Sequence, residues 1–196
     1  MNRFPADAAS DAERFAYCLV QHCSPVLAGL KSANMINFSL QNPSSFHKVL
    51  AHYRSELRSK NVSILLLQKT QKRALVYVYR ERKLLTEFQK AGVSEFLQAR
   101  GYTDPSLPAM LSHLKKRIAE GNGFPHEIGL FLGYPLHDVV GFIENDGQNS
   151  CCSGPWKVYD CAEEARSLFQ KFNKCTAAYL RLFAAGRPIT RLTVAA

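Results

Sequence analysis

FPHEIGLFLGYPLHDVVGFIEND, Phe124 to Asp146, predicts two short helices joined by a Gly-Tyr-Pro turn. Pro125 presets the dihedral of a first helical position, and Glu127 complements the positive end of the helix dipole. Phe124 is placed to staple onto Ile128, while Ile128, Phe131 and Leu132 share a face. Gly133 suits the left-handed residue that closes a helix. Pro135 restarts the helix, Asp138 enters its first turn, and Val139, Phe142 and Ile143 face inward. The stretch has four acidic residues and no Lys or Arg, so the rest of the chain carries +13 against a whole-chain charge of +9.

The spacing of Gly129, Gly133, Val139 and Phe142 is that of a helix-turn-helix-like pair. Such a pair reads DNA from the exposed face of its second helix. That face is expected to present Leu136, His137, Val140, Gly141 and Glu144, with no Arg, Lys, Asn or Gln for phosphates or base edges. Its carboxylates repel the backbone, so DNA reading through this element is disfavoured.

Toward the N-terminus, Ser10 and Glu13 form a capping box and start a helix near Asp11. Phe15, Cys18, Leu19 and His22 make one buried stripe, which Pro25 and Gly29 interrupt. Ile36, Phe38 and Leu40 alternate as a strand. Pro43 opens a helix with Phe46, Val49, Leu50, Tyr53 and Leu57 inside. Val62 to Leu67 and Ala74 to Tyr79 form a hairpin. The first run is nearly all apolar, which predicts a central strand covered on both faces. Helices follow over Lys83–Gln89, Val93–Ala99 and Leu107–Glu120, the last stopped by Gly121-Asn122-Gly123.

Toward the C-terminus, Trp156 to Tyr159 is a short strand. Asp160 and Glu163 make a second capping box. The long helix behind it is expected to bury Ala165, Leu168, Phe169, Phe172, Thr176, Tyr179, Leu180 and Phe183, and to stop at Gly186 and Pro188. Ile189 to Val194 alternates as a final strand. The fold class is therefore α+β: a small, mostly antiparallel sheet with a central hairpin, packed by several helices.

The 196 residues, 46% hydrophobic and 21% charged, fit a single domain over 1–196, with 1–10 as a flexible extension. Met1 to Ser10 has no apolar run, and no stretch approaches the roughly 18 apolar residues of a membrane span, so the cytoplasm is expected and a membrane is not. Six cysteines without a CxxC pair are expected to be reduced. The basic charge permits an anionic partner.

HCSPVLAGLKSANMINF, FPHEIGLFLGYPLHDVVGFI, GPWKVY and the helix containing NKC together resemble an uncharacterised bacterial family, a domain of unknown function typical of anaerobic Gram-positive bacteria. The resemblance spans about Phe15 to Thr193. It implies no established activity, cofactor or catalytic residue. Ser24 and Val26 stand where that family implies Ala and Thr, so a pocket shaped by those positions differs in this chain.

The candidate ligand-binding residues are His126, Glu127, Tyr134, Trp156, Lys157 and Lys31. His126 and Glu127 adjoin at a helix start, as an acid–base pair or as ordinary first-turn chemistry; neighbours on a helix diverge by about 100°, which favours the latter. Leu130 excludes an HExxH zinc site. Trp156, the sole Trp, can stack on a flat ligand whose charge Lys157 meets, or belong to the core. Lys31 sits at an element end after Gly29. Cys18, His22 and Cys23 suggest a metal corner but read better as core residues. Cys175, with His126 or His137 as base, reads better as a core thiol than as a nucleophile. Gly121-Asn122-Gly123 could cradle an anion, though a helix stop is the plainer reading. Lys69–Arg73, Arg80–Lys83 and Lys115–Arg117 read as solvated faces. No GxSxG, P-loop or GxGxxG occurs.

These features favour a non-enzymatic module that binds a small molecule or a protein partner. The alternatives are a small enzyme using His126 and Glu127, and a nucleic-acid binder using the basic clusters.

Overall fold

A computed structural model describes residues 10–120 and 124–195. The expected N-terminal extension and the Gly121-Asn122-Gly123 stop or anion cradle lie outside the described residues, apart from Ser10. In chain order the elements are α1 (Asp11–Leu27), β1 (Ala33–Ser39), α2 (Phe46–Arg58), β2 (Ser63–Lys69), β3 (Arg73–Tyr79), α3 (Glu81–Phe88), α4 (Val93–Gln98), α5 (Leu107–Ala119), α6 (Ile128–Phe131), α7 (Leu136–Glu144), β4 (Cys152–Ser153), β5 (Lys157–Val158), α8 (Ala162–Ala184) and α9 (Ile189–Leu192). The fold is α+β.

The main sheet is antiparallel with order β1-β3-β2. Its strands carry apolar side chains on both faces, because helices cover both. Ile36, Phe38, Ile64, Ala74, Val76 and Val78 belong to one core, shared with α1, α2 and α9. The alternate positions Ala33, Leu67 and Tyr77 join a second core built with α3 to α7. A smaller third cluster, Trp156, Val158, Ala165, Phe169 and Phe172, lies between the β4–β5 hairpin and α8.

The central strand is β3, not the first run of the hairpin; β2 is an edge strand with an irregularity between Leu66 and Gln68. Both runs are apolar because both are covered on two faces. Composition therefore could not say which of them also received β1.

Ser10 and Glu13 form the expected capping box. Helix α1 nevertheless runs through Pro25 to Leu27. Proline costs a helix its own N–H bond, and here it lies one turn from the end. The Pro25 carbonyl accepts from the Leu30 and Lys31 amides at 2.8 and 3.0 Å, which turns the chain toward β1. His22 is exposed, not part of the buried stripe.

Three further expectations are corrected at the C-terminal end. The N-cap of α8 is Cys161 in a left-handed conformation with no side-chain cap bond, and Asp160 accepts from the Cys161 amide, so the expected Asp160–Glu163 capping box does not form. Leu168 is exposed. Ile189 to Val194 holds the short helix α9 and adds no strand to the sheet. Pro188 takes the N-cap of α9, and the Val194 amide donates to the Leu27 carbonyl instead of a strand.

Arg80, read from sequence as part of a solvated cluster, is 2% exposed. Its guanidinium donates to the carbonyls of Val26 (2.6 Å), Lys60 (2.9 Å), Leu27 (2.8 Å) and Val194 (2.7 Å). Two of these carbonyls end α1, where the helix lacks internal donors and carries its negative pole. One side chain thus closes a helix, holds the α2–β2 connection and fastens the C-terminal segment. Burial lowers its pKa.

Candidate functional site

The segment after α5 turns through Pro125 to Glu127 and forms one helical turn, α6, before Gly133 reverses it at φ 74°. A side chain at Gly133 would run into the buried Ser32 hydroxyl, so both the conformation and the space require glycine. Pro135 is the N-cap of α7.

Asp138, in the first turn of α7, is 3% exposed and fixes the site. Its carboxylate accepts from the Trp156 indole N–H and from the Tyr159 amide, both at 2.7 Å. The β4–β5 hairpin is thereby pinned to α7. Gly141 allows this approach: a Cβ there would lie 2.5 Å from Tyr159 Cγ. The outward face expected for α7 is accordingly reduced, since Gly141 is buried and Leu136 packs toward the second core.

Trp156 is 8% exposed. It stacks on Tyr134 at 4.7 Å between centroids and meets Phe169 edge-on at 4.6 Å. Tyr134 donates its hydroxyl to the Pro155 carbonyl at 3.2 Å. Burial pushes its phenol up to about 12.

In front of this stack lies a cavity of about 340 Å³. Phe124, Ile128, Leu132, Val139 and Phe142 give it apolar walls, and His126, Tyr134, Trp156 and Lys157 also line it. The His126 ring packs on Phe142 at 5.1 Å. The Lys157 ammonium donates to the Gly147 carbonyl.

Four of the six sequence-predicted residues therefore share one cavity, and two do not line it. Glu127 points the other way and is 2% exposed. It accepts from Arg117 Nε at 3.0 Å and from the Tyr102 hydroxyl at 3.2 Å. These bonds raise the Arg117 pKa, while burial first and the Glu127 charge second raise that of Tyr102. The carboxylate thus anchors α5 to the start of α6, and Glu127 does not join His126 in the apolar cavity.

Lys31 is buried, with Nζ 3.3 Å from Asn34 Oδ1 and 5.1 Å from the Tyr134 ring centroid. It supports the stack and does not line the cavity. Burial draws its pKa from the ordinary 10.5 down to about 8. Between those values the unfolded chain holds the proton that the folded chain has released, so Lys31's contribution to stability rises with pH across that window. Below pH 8 the buried charge costs its full amount, about 3 kcal/mol. Lys31→Met is expected to be more stable than the parent at pH 7 by about 2 kcal/mol, after loss of the amide and ring contacts. The gap should narrow from pH 8 toward pH 10. Paired urea melts test this, and a gap constant with pH would refute it.

Four of the thiols are disfavoured as thiolates. Burial raises the pKa of Cys18 and Cys175 and takes Cys23 to about 12, and the Asp160 charge raises that of exposed Cys161. Among the described residues no three His, Cys, Asp or Glu side chains gather as a metal set. Cys23 is buried while His22 is exposed, so these neighbours share no surface.

Sequence reasoning missed Asp138, Phe124 and Phe142 as parts of the site. One signal for Asp138 was available. A sole Trp that becomes buried needs an acceptor for its N–H, and Asp138 lies in the same motif-rich region. The aromatic walls carried no such signal, because they read equally well as core.

No match to the chain was found among curated proteins or among solved structures. One family profile matches residues 19–193, a span that contains the helix pair, the hairpin and every residue of the cavity. The chain belongs to the family described as Protein of unknown function (DUF3793).

Proposed function

We propose that the protein is a non-enzymatic binding module of the cytoplasm that takes a small, flat, largely apolar molecule in the cavity beside Trp156. The observation that carries this reading is the Trp156–Tyr134 stack, held rigid by Asp138 and the Pro155 carbonyl, forming one wall of an apolar cavity. A wall fixed before the ligand arrives spares the ordering cost of binding. A few polar groups among apolar walls, here His126 and Lys157, are the usual make-up of a small-molecule site. Binding is favoured over acid–base catalysis because the Glu127 carboxylate is already committed to Arg117 and Tyr102.

The sole Trp makes the test direct. Neutral bicyclic aromatics such as 2-naphthol, quinoline and indole are titrated while the single indole N–H resonance of Trp156 is followed. At least one should shift that resonance at millimolar concentration or below. Ser153→Phe, at an exposed β4 position that lines the cavity, should weaken that binding at least tenfold, about 1.4 kcal/mol. An indole resonance indifferent to all three compounds would sink the proposal.

A further inference from the structure

The cavity has a neighbour of different character. Beyond Phe124 and His126, which line both spaces, lies a second recess of about 290 Å³ bordered by Arg100, Arg117, Glu120 and Glu127. One space is walled by rings and aliphatic chains, and the other by charged groups.

The recess holds two arginines and two carboxylates, and their partners differ. Glu127 is buried and holds Arg117 through Nε, and the Arg117 side chain is 39% exposed. Glu120 lies 3.9 Å from Lys116. Among the described residues no carboxylate lies within ion-pair distance of Arg100. Its guanidinium instead lies 3.5 Å from the Phe96 ring centroid and donates from Nη1 to the Phe96 carbonyl at 3.1 Å. A guanidinium so positioned has lost side-chain freedom before any ligand arrives and keeps donors for one. Planar donors in a fixed fork match a carboxylate, sulfonate or phosphate.

We infer that the ligand of the apolar cavity is amphipathic, with a ring body beside Trp156 and an anionic group that passes His126 into the recess, where Arg100 and the outer end of Arg117 receive it. This inference rests on the binding reading above. Phe124, in the shared wall, is 48% exposed, so a molecule that reaches over it would occupy both spaces, and the chemistry of each space selects one end of it.

Two probes with the same ring separate the terms: 4-(2-naphthyl)butanoate and the neutral 4-(2-naphthyl)butanol. Affinities are measured by calorimetry, with the Trp156 indole resonance confirming the site. The carboxylate should bind at least tenfold more tightly than the alcohol, with the advantage falling as salt rises. Arg100→Gln should remove most of that advantage, and a Trp156 indole resonance at its parental position shows that the variant is folded. Arg100→Lys should retain part of it. Equal affinity for the two probes, with both shifting Trp156, would overturn the amphipathic assignment and leave the cavity reading standing. An advantage that survives Arg100→Gln would also overturn it. Failure of both probes to reach Trp156 would remove both readings together.

Discussion

Arg80→Met will destabilise the protein by about 4 kcal/mol, one of the largest effects available to a single substitution in this chain. Four carbonyls, of Val26, Leu27, Lys60 and Val194, lose their charged donor at once. Hydrogen bonds to charged groups contribute about 1.5–3 kcal/mol each, and an unsatisfied buried acceptor costs about 1–3 kcal/mol. The summed loss is tempered because Val194 is exposed and its carbonyl can turn to water, and because Met fills part of the space. Arg80→Lys will recover little, since one ammonium cannot span acceptors that a guanidinium reaches with three nitrogens. The loss is also expected to be local in character. Hydrogen exchange at the Val194 amide, which donates to Leu27, should accelerate more than exchange in β3. Denaturant melts give the magnitude. A loss under 1 kcal/mol would show that the network is not what ties the C-terminal segment to α1.

Asp138→Ala is the second large effect, about 3 kcal/mol, and it reaches the site as well as the fold. It leaves the Trp156 indole N–H and the Tyr159 amide without their acceptor. Both donors bond to a carboxylate at 2.7 Å, in the range of strong charge-assisted bonds. Because Trp156 is 8% exposed, water can replace that acceptor only if the hairpin moves away from α7. The expected signature is a red-shifted Trp emission and a broadened indole resonance, alongside the loss in the melt. Asp138→Asn keeps one oxygen acceptor and should cost about half as much. Ligand affinity should fall in both variants in the order of their indole disorder. An unshifted Trp spectrum in Asp138→Ala would mean that Phe169 and Tyr134 hold the ring without help.

Several readings that rest on local chemistry agree with the structure. The Ser10–Glu13 cap, the left-handed Gly133, the strand alternation of Ile36 and Phe38 and the inner face of α2 each depend on residues within a few positions of one another. The site was legible to the extent that its residues advertise a chemistry. A sole Trp beside a Lys, a His at a helix start and a Tyr in a tight turn were found, and they share a cavity. Glu127 was grouped with them by adjacency, yet successive side chains on a helical turn diverge, and its carboxylate went to Arg117.

The misreadings of Arg80, of Ile189 to Val194 and of the central strand have a common cause. Arg80 looked like one cation in an exposed cluster, because its acceptors come from residues up to 114 positions away in sequence. Ile189 to Val194 alternates like a strand, but Pro188 caps a helical turn there and the Leu27 carbonyl takes the Val194 amide. Apolar runs told of two covered strands and could not rank them. Sequence by itself determined the α+β class, most element positions, the helix pair and the family, because capping, periodicity and turn chemistry are short-range and additive. Only the tertiary structure decided the central strand, the burial of Arg80 and Lys31, the bonds of Asp138 and the placing of an apolar cavity beside a recess bordered by arginines and carboxylates. Those depend on which distant groups desolvate one another, and desolvation is a property of the packed chain, not of any segment.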